Sequence, residues 1–134
     1  MHFSNFFYIQ MFRVAAIWNL LVGLTGIFLY SFCLDLIAGH RLDTITDLTL
    51  IFYRFFMIAV IIFGIGYYLV SVNLEKNDGI VWMGACAKTI IFGFVLIDFL
   101  TGDATLFFLM IASTDLIFAV FFFLYLLSKK NYRF

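Results

Sequence analysis

Residues 79–100 read GIVWMGACAKTIIFGFVLIDFL, and within them GACAKTIIFG (84–93) sets a lysine among apolar neighbours. The stretch matches the ~20 residues that a helix needs to cross a ~30 Å hydrocarbon core. Its apolar residues are grouped without the gaps of a surface helix or the alternation of a half-buried strand, so it reads as a membrane helix. Three other runs share the pattern: about 12–34 (FRVAAIWNLLVGLTGIFLYSFCL), about 50–72 (LIFYRFFMIAVIIFGIGYYLVSV) and about 104–127 (ATLFFLMIASTDLIFAVFFFLYLL).

The composition agrees. Of 134 residues, 66% are hydrophobic and only 12% charged, where a soluble domain keeps roughly a quarter of its residues charged. There is no proline to kink a helix, and twenty phenylalanines supply bulky surfaces for packing and for lipid. The connections AGHRLDTITD (38–47), NLEKND (73–78) and TGD (101–103) leave no room for a soluble domain. Connections this short make neighbouring helices antiparallel. The expected fold is therefore an all-α integral membrane protein, a four-transmembrane-helix up-down bundle forming a single domain over 1–134.

Orientation follows from lysine and arginine at the helix ends. With the N-terminus inside, Arg13, Lys76, Lys129, Lys130 and Arg133 fall on the cytoplasmic side and Arg41 on the other, which predicts both termini cytoplasmic. The first run is too long for a signal peptide and no small-x-small site follows it, so it is expected to stay as an anchor. A multi-pass protein of a bacterial inner membrane is the expected setting. Cys33 and Cys86 lie at levels more than 10 Å apart and belong to no CxxC motif, which excludes a disulfide between them.

The polar residues at membrane depth carry what functional signal there is. Counting along the helices places Asn19, Lys88 and Asp115 within about two turns of one another, and Asp115 is the natural partner of Lys88. Gly84, Ala112 and Ala119 share faces with this lysine and aspartate, and Gly23 and Gly26 share a face with Asn19; small residues let membrane helices approach closely. An ionisable group inside a membrane helix is a functional candidate, yet a buried pair also fixes register, since breaking it costs roughly 3–5 kcal/mol. Both readings stand for Lys88–Asp115. Asn19 reads first as interhelical glue. Nearer the outer face, Arg54 and Asp98 form a second expected pair, structural in character, with Asp47 and Asp103 as rivals for the arginine.

Several chemistries are set aside. His2 and His40 lie on opposite sides and cannot ligate one haem. Asp115 and Cys86 are too few for zinc or di-iron. No phosphate-binding loop or Ser-His-Asp set is present, and FGIGYY (63–68) reads as a site of close helix packing with its tyrosines at headgroup level. The terminal SKKNYR reads as a basic anchor, with anionic lipid as an alternative ligand.

RVAAIWNLLVG (13–23), FGIGYYLVSVN (63–73), GACAKTIIFG (84–93) and STDLIFAVFFFLYL (113–126) together resemble small four-helix membrane proteins of the DoxX-like kind. The resemblance implies a bundle with an intramembrane polar site, beside a quinone or another partner, in a family linked to quinone-dependent oxidation of sulfur compounds. No cofactor is expected from the residues themselves, and a quinone enters only through that resemblance. The first functional expectation is a non-catalytic accessory subunit, with the bilayer and other membrane subunits or a second copy as partners and nucleic acid as none. The alternative is a binding or transport unit for a hydrophobic or protonatable ligand, with Lys88 and Asp115 as its polar floor, Asn19 orienting the ligand, and Trp18 or Trp82 lining it. An enzyme acting on a quinone or lipid ranks last. A cavity of about 300 Å³ or more beside Lys88 separates the ligand readings from the subunit reading, which expects a filled interior.

Overall fold

In a computed structural model, residues 3–39 and 45–130 are described. His2, His40, Arg41 and Arg133 lie outside them, as does the side chain of Lys130. The described residues form five helices and no strand: α1 (Asn5–Phe28), α2 (Tyr30–Ala38), α3 (Asp47–Val72), α4 (Asp78–Thr101) and α5 (Leu106–Lys130). All but α2 are long and apolar enough to cross a membrane.

The first helix begins about two turns before the expected residue 12. The Ser4 hydroxyl accepts the Phe7 N–H at 3.2 Å and opens the helix, and Tyr8 and Met11 are already buried. Hydropathy marks where a helix enters lipid, whereas the cap marks where the helix starts.

The run expected over 12–34 is interrupted at Leu29, which leaves helical geometry (φ −115°, ψ 40°). Neither proline nor glycine sits there. α2 is tied at its far end, where Thr105 donates its hydroxyl to the Leu36 carbonyl and its N–H to the Ile37 carbonyl at 3.2 Å. The same hydroxyl oxygen accepts the Phe108 N–H at 3.2 Å. One threonine thus caps α5 and ties α2 across it.

The other turns are capped by nearby residues, one of them with help from α5. Thr46 caps α3 by accepting the Thr49 N–H at 3.2 Å. After α4, Gly102 takes positive φ (83°), where a Cβ would be strained, and the N–H groups of Asp103 and Ala104 return to the Asp98 carbonyl. At the end of α3, the Asn77 amide donates to the carbonyls of Leu69 and Asn73. Lys129 then grips this connection with all three ammonium protons, on the Leu74 and Glu75 carbonyls (2.9 and 3.0 Å) and on Asp78 Oδ1 (2.6 Å). Tyr125 adds its hydroxyl to the Leu74 carbonyl. Lys129, read from sequence as part of a lipid-facing basic tail, is occupied within the protein.

Packing is uneven around the bundle. α3 lies chiefly on α1, and α4 chiefly on α5, while α3 and α4 meet over a shorter stretch. That stretch is next to their connection, where a Cβ on Gly66 would touch Ile80 and one on Gly84 would meet Tyr67. The core gathers at the same end, around Tyr8, Phe12, Tyr67, Val81, Phe122 and Tyr125. Trp82 packs its ring on Phe123 and is half exposed.

Candidate functional site

Gly64 is where the site begins. A Cβ there would lie 3.2 Å from the Ala16 carbonyl and from Asn19 Cβ, so the missing side chain lets α1 close on α3. At that approach the Asn19 amide donates to the Val60 carbonyl at 3.2 Å. The Asn19 carbonyl is turned inward and accepts from Lys88 Nζ at 3.0 Å. Lys88 also donates to Asp115 Oδ1, forming an ion pair between α4 and α5. The structure therefore brings Asn19, Lys88 and Asp115 together from three helices.

Two rings flank the ammonium. Tyr67 stands 5.5 Å and Phe118 5.7 Å from Lys88 Nζ, within range for attraction to the ring faces. Tyr67 is fully buried within the bundle. The reason lies on α4: a Cβ on Gly84 would fall 2.5 Å from the Tyr67 hydroxyl, so the glycine makes the space the tyrosine fills.

Hydrogen-bond capacity is left over. Lys88 has three ammonium protons and gives two to oxygens, on Asn19 and Asp115. Asp115 uses one carboxylate oxygen, and its Oδ2 accepts from no described residue. The side chain of Lys88 is 5% exposed and that of Asp115 22%. Both face the same empty space, a cavity of about 160 Å³.

This cavity is walled by all five helices, with Trp18, Cys33, Phe63, Ala87, Ile91 and Ala112 among its lining residues. Lining residues that are also exposed, Phe56 and Ala59 on α3 and Phe107 on α5, mark its open side. Trp82 is no part of it. Its volume is about half the ~300 Å³ where drug-sized sites begin. The interior is thus neither filled nor roomy, and an apolar cavity of about 150 Å³ holds one benzene ring. Tyr53, which sequence reasoning passed over, lines the α2 end, with its hydroxyl buried beside the Cys33 thiol.

The expected outer pair is not formed. Arg54 and Asp98 are both exposed and unpaired with each other, and the Arg54 guanidinium stands over the Tyr30 ring at 5.8 Å. Their levels match, but α3 and α4 meet only near their connection and are not in contact at this end. Asp103 accepts the Thr101 hydroxyl at 2.8 Å. Cys33 and Cys86 are free thiols, and no cluster of His, Cys, Asp or Glu suited to a metal occurs among the described residues. No protein-family model, curated protein or solved structure matches the chain.

Proposed function

We propose that this is a multi-pass protein of a bacterial inner membrane that binds a small lipophilic molecule in the cavity, against Lys88, Asp115 and Asn19. The observation that carries the reading is the shared wall. A largely buried ion pair, with one proton and one oxygen that no described oxygen or donor engages, borders space for a single ring. A pair kept only to fix helix register gains nothing from an adjoining void, which forfeits packing contacts.

The bundle is single and up-down, with both termini cytoplasmic. Pairings of opposite numerical sense support this: Lys88 with Asp115 and Asp78 with Lys129 between α4 and α5, and Tyr8 with Tyr125 between α1 and α5. The excess of lysine and arginine at the ends joined by the α3–α4 connection supports the orientation.

An accessory subunit is the second reading. It is favoured by α3, whose most apolar stretch is 11% buried against 39% for α1. Lipid covers such a face as readily as a partner subunit or a second copy does, so this reading ranks below the first.

The test compares wild type with Lys88→Met/Asp115→Leu, a change that removes both charges together. Each is extracted with its native lipid and analysed by mass spectrometry. A small molecule held at fixed stoichiometry by wild type and lost from the folded double variant is the expected result. A stoichiometric protein partner with no small molecule would replace this reading with the accessory one. Retention of the same molecule by the variant would overturn the assigned site.

A further inference from the structure

We infer that the ligand is an uncharged, single-ring alcohol or phenol whose hydroxyl accepts a hydrogen bond from Lys88 and donates one to Asp115. This rests on the cavity being a ligand site, and it follows from three properties of that cavity.

Size comes first. About 160 Å³ is room for one six-membered ring and a small substituent, with any longer chain leaving past Phe56 and Ala59. Charge is the second property. Lys88 and Asp115 neutralise each other, so a ligand anion would face the aspartate and a ligand cation the lysine. Either would bring an unpaired charge into an apolar space, which is costly.

The third property is the pattern of donors and acceptors. One Lys88 proton is not given to an oxygen, and Asp115 Oδ2 accepts nothing from a described residue. The floor therefore offers one donor and one acceptor side by side. A hydroxyl is both acceptor and donor and satisfies the two at once. A carbonyl or ether oxygen only accepts, so it would leave Asp115 Oδ2 unsatisfied. A hydrocarbon would leave both groups unsatisfied.

Four probes of nearly equal size separate these cases: p-cresol, benzyl alcohol, anisole and toluene. The first three are isomers, two with a hydroxyl and one with an ether oxygen, and toluene has no oxygen. Cys33 lines the cavity and Cys86 is exposed outside it. Protection of Cys33 from a small maleimide in nanodiscs, with Cys86 as the internal reference, therefore reads occupancy. The expected result is half-protection by p-cresol and benzyl alcohol at membrane concentrations about tenfold or more below those of anisole and toluene, the effect of one hydrogen bond to a charged group. In Asp115→Asn the carboxylate acceptor gives way to an amide that donates, and anisole should gain on p-cresol. Equal protection by all four probes would overturn the hydroxyl assignment and leave the cavity as a ligand site. Failure of all four to protect Cys33 would overturn both.

Discussion

At the end of the bundle that carries the α3–α4 connection, aromatic rings fill the interior. Phe12 and Tyr67 each lie 4.9 Å from Phe122, and Tyr8 lies 5.1 Å from Tyr125. At the other end, beneath α2, the same long helices leave a cavity of about 160 Å³. Small residues differ in what becomes of the space they leave. Gly64 and Gly84 sit where a neighbouring helix or ring takes the space of the missing side chain. Ala87 and Ala112 line space that nothing takes. Lipid tails are as apolar as leucine, so membrane helices gain from contact and not from escaping water. A void kept against that drive, with an ion pair as its floor, is where a function is to be sought.

The sharpest way to break this contrast is to remove one member of the pair. Lys88→Met leaves Asp115 as an unpartnered carboxylate in an apolar setting, and unfolding in mixed micelles should register a loss of roughly 3–5 kcal/mol. Lys88→Met/Asp115→Leu should recover most of it, because the desolvation of both charges is then avoided. A single variant as stable as wild type would mean that the ion pair does not hold the hollow end together.

The filled end should respond almost as strongly to loss of volume. Phe122 is fully buried between Phe12 and Tyr67, and Phe122→Ala should cost about 3 kcal/mol, the low end of the usual range. The low end applies because lipid also solvates the ring when the helices separate. Phe108 lines the cavity, and Phe108→Ala should cost clearly less in the same unfolding assay. Equal losses at the two positions would remove the distinction between the ends.

How far the sequence disclosed all this differs from residue to residue. Four long apolar runs were plain from grouping alone, and Asn19, Lys88 and Asp115 could be brought together by counting along helices, because depth in a membrane is a one-dimensional coordinate. Lateral position is not, which is why Arg54 and Asp98 match in level but do not meet. The break at Leu29 has no local signal, since the bonds that hold α2 come from Thr105, 69 residues beyond Leu36. The burial of Tyr67 lacks a local signal for a related reason. The room its ring fills is left by a glycine on another helix, Gly84.

A smaller effect comes from adding volume instead of removing it. Ala85 and Ala112 are both buried, but only Ala112 lines the cavity. Ala85→Leu overpacks the filled end and should destabilise by about 1–3 kcal/mol. Ala112→Leu has empty space to enter and should leave stability nearly unchanged while abolishing protection of Cys33 by p-cresol. The pair of variants thus separates stability from occupancy, and a large loss of stability in Ala112→Leu would argue that the space is closed in the folded protein.

The smallest effect is expected at Thr105, and it asks whether α2 belongs to the hollow end as a cover. The Thr105 hydroxyl serves two masters, the Leu36 carbonyl and the Phe108 N–H. Thr105→Ser keeps both bonds, whereas Thr105→Val preserves shape and loses both. Each net hydrogen bond contributes about 1 kcal/mol, but the α5 cap is local and α2 touches the bundle lightly, so global unfolding should shift by about 1 kcal/mol. The revealing measurement is local. Cys33 rides on α2 and Cys86 on α4, so loosening α2 should speed maleimide labelling of Cys33 severalfold in Thr105→Val and leave both the serine variant and Cys86 unchanged. Unaltered labelling of Cys33 would place the hold on α2 elsewhere, in the packing of its buried Leu34, and the cavity would then owe its roof to packing instead of to the threonine.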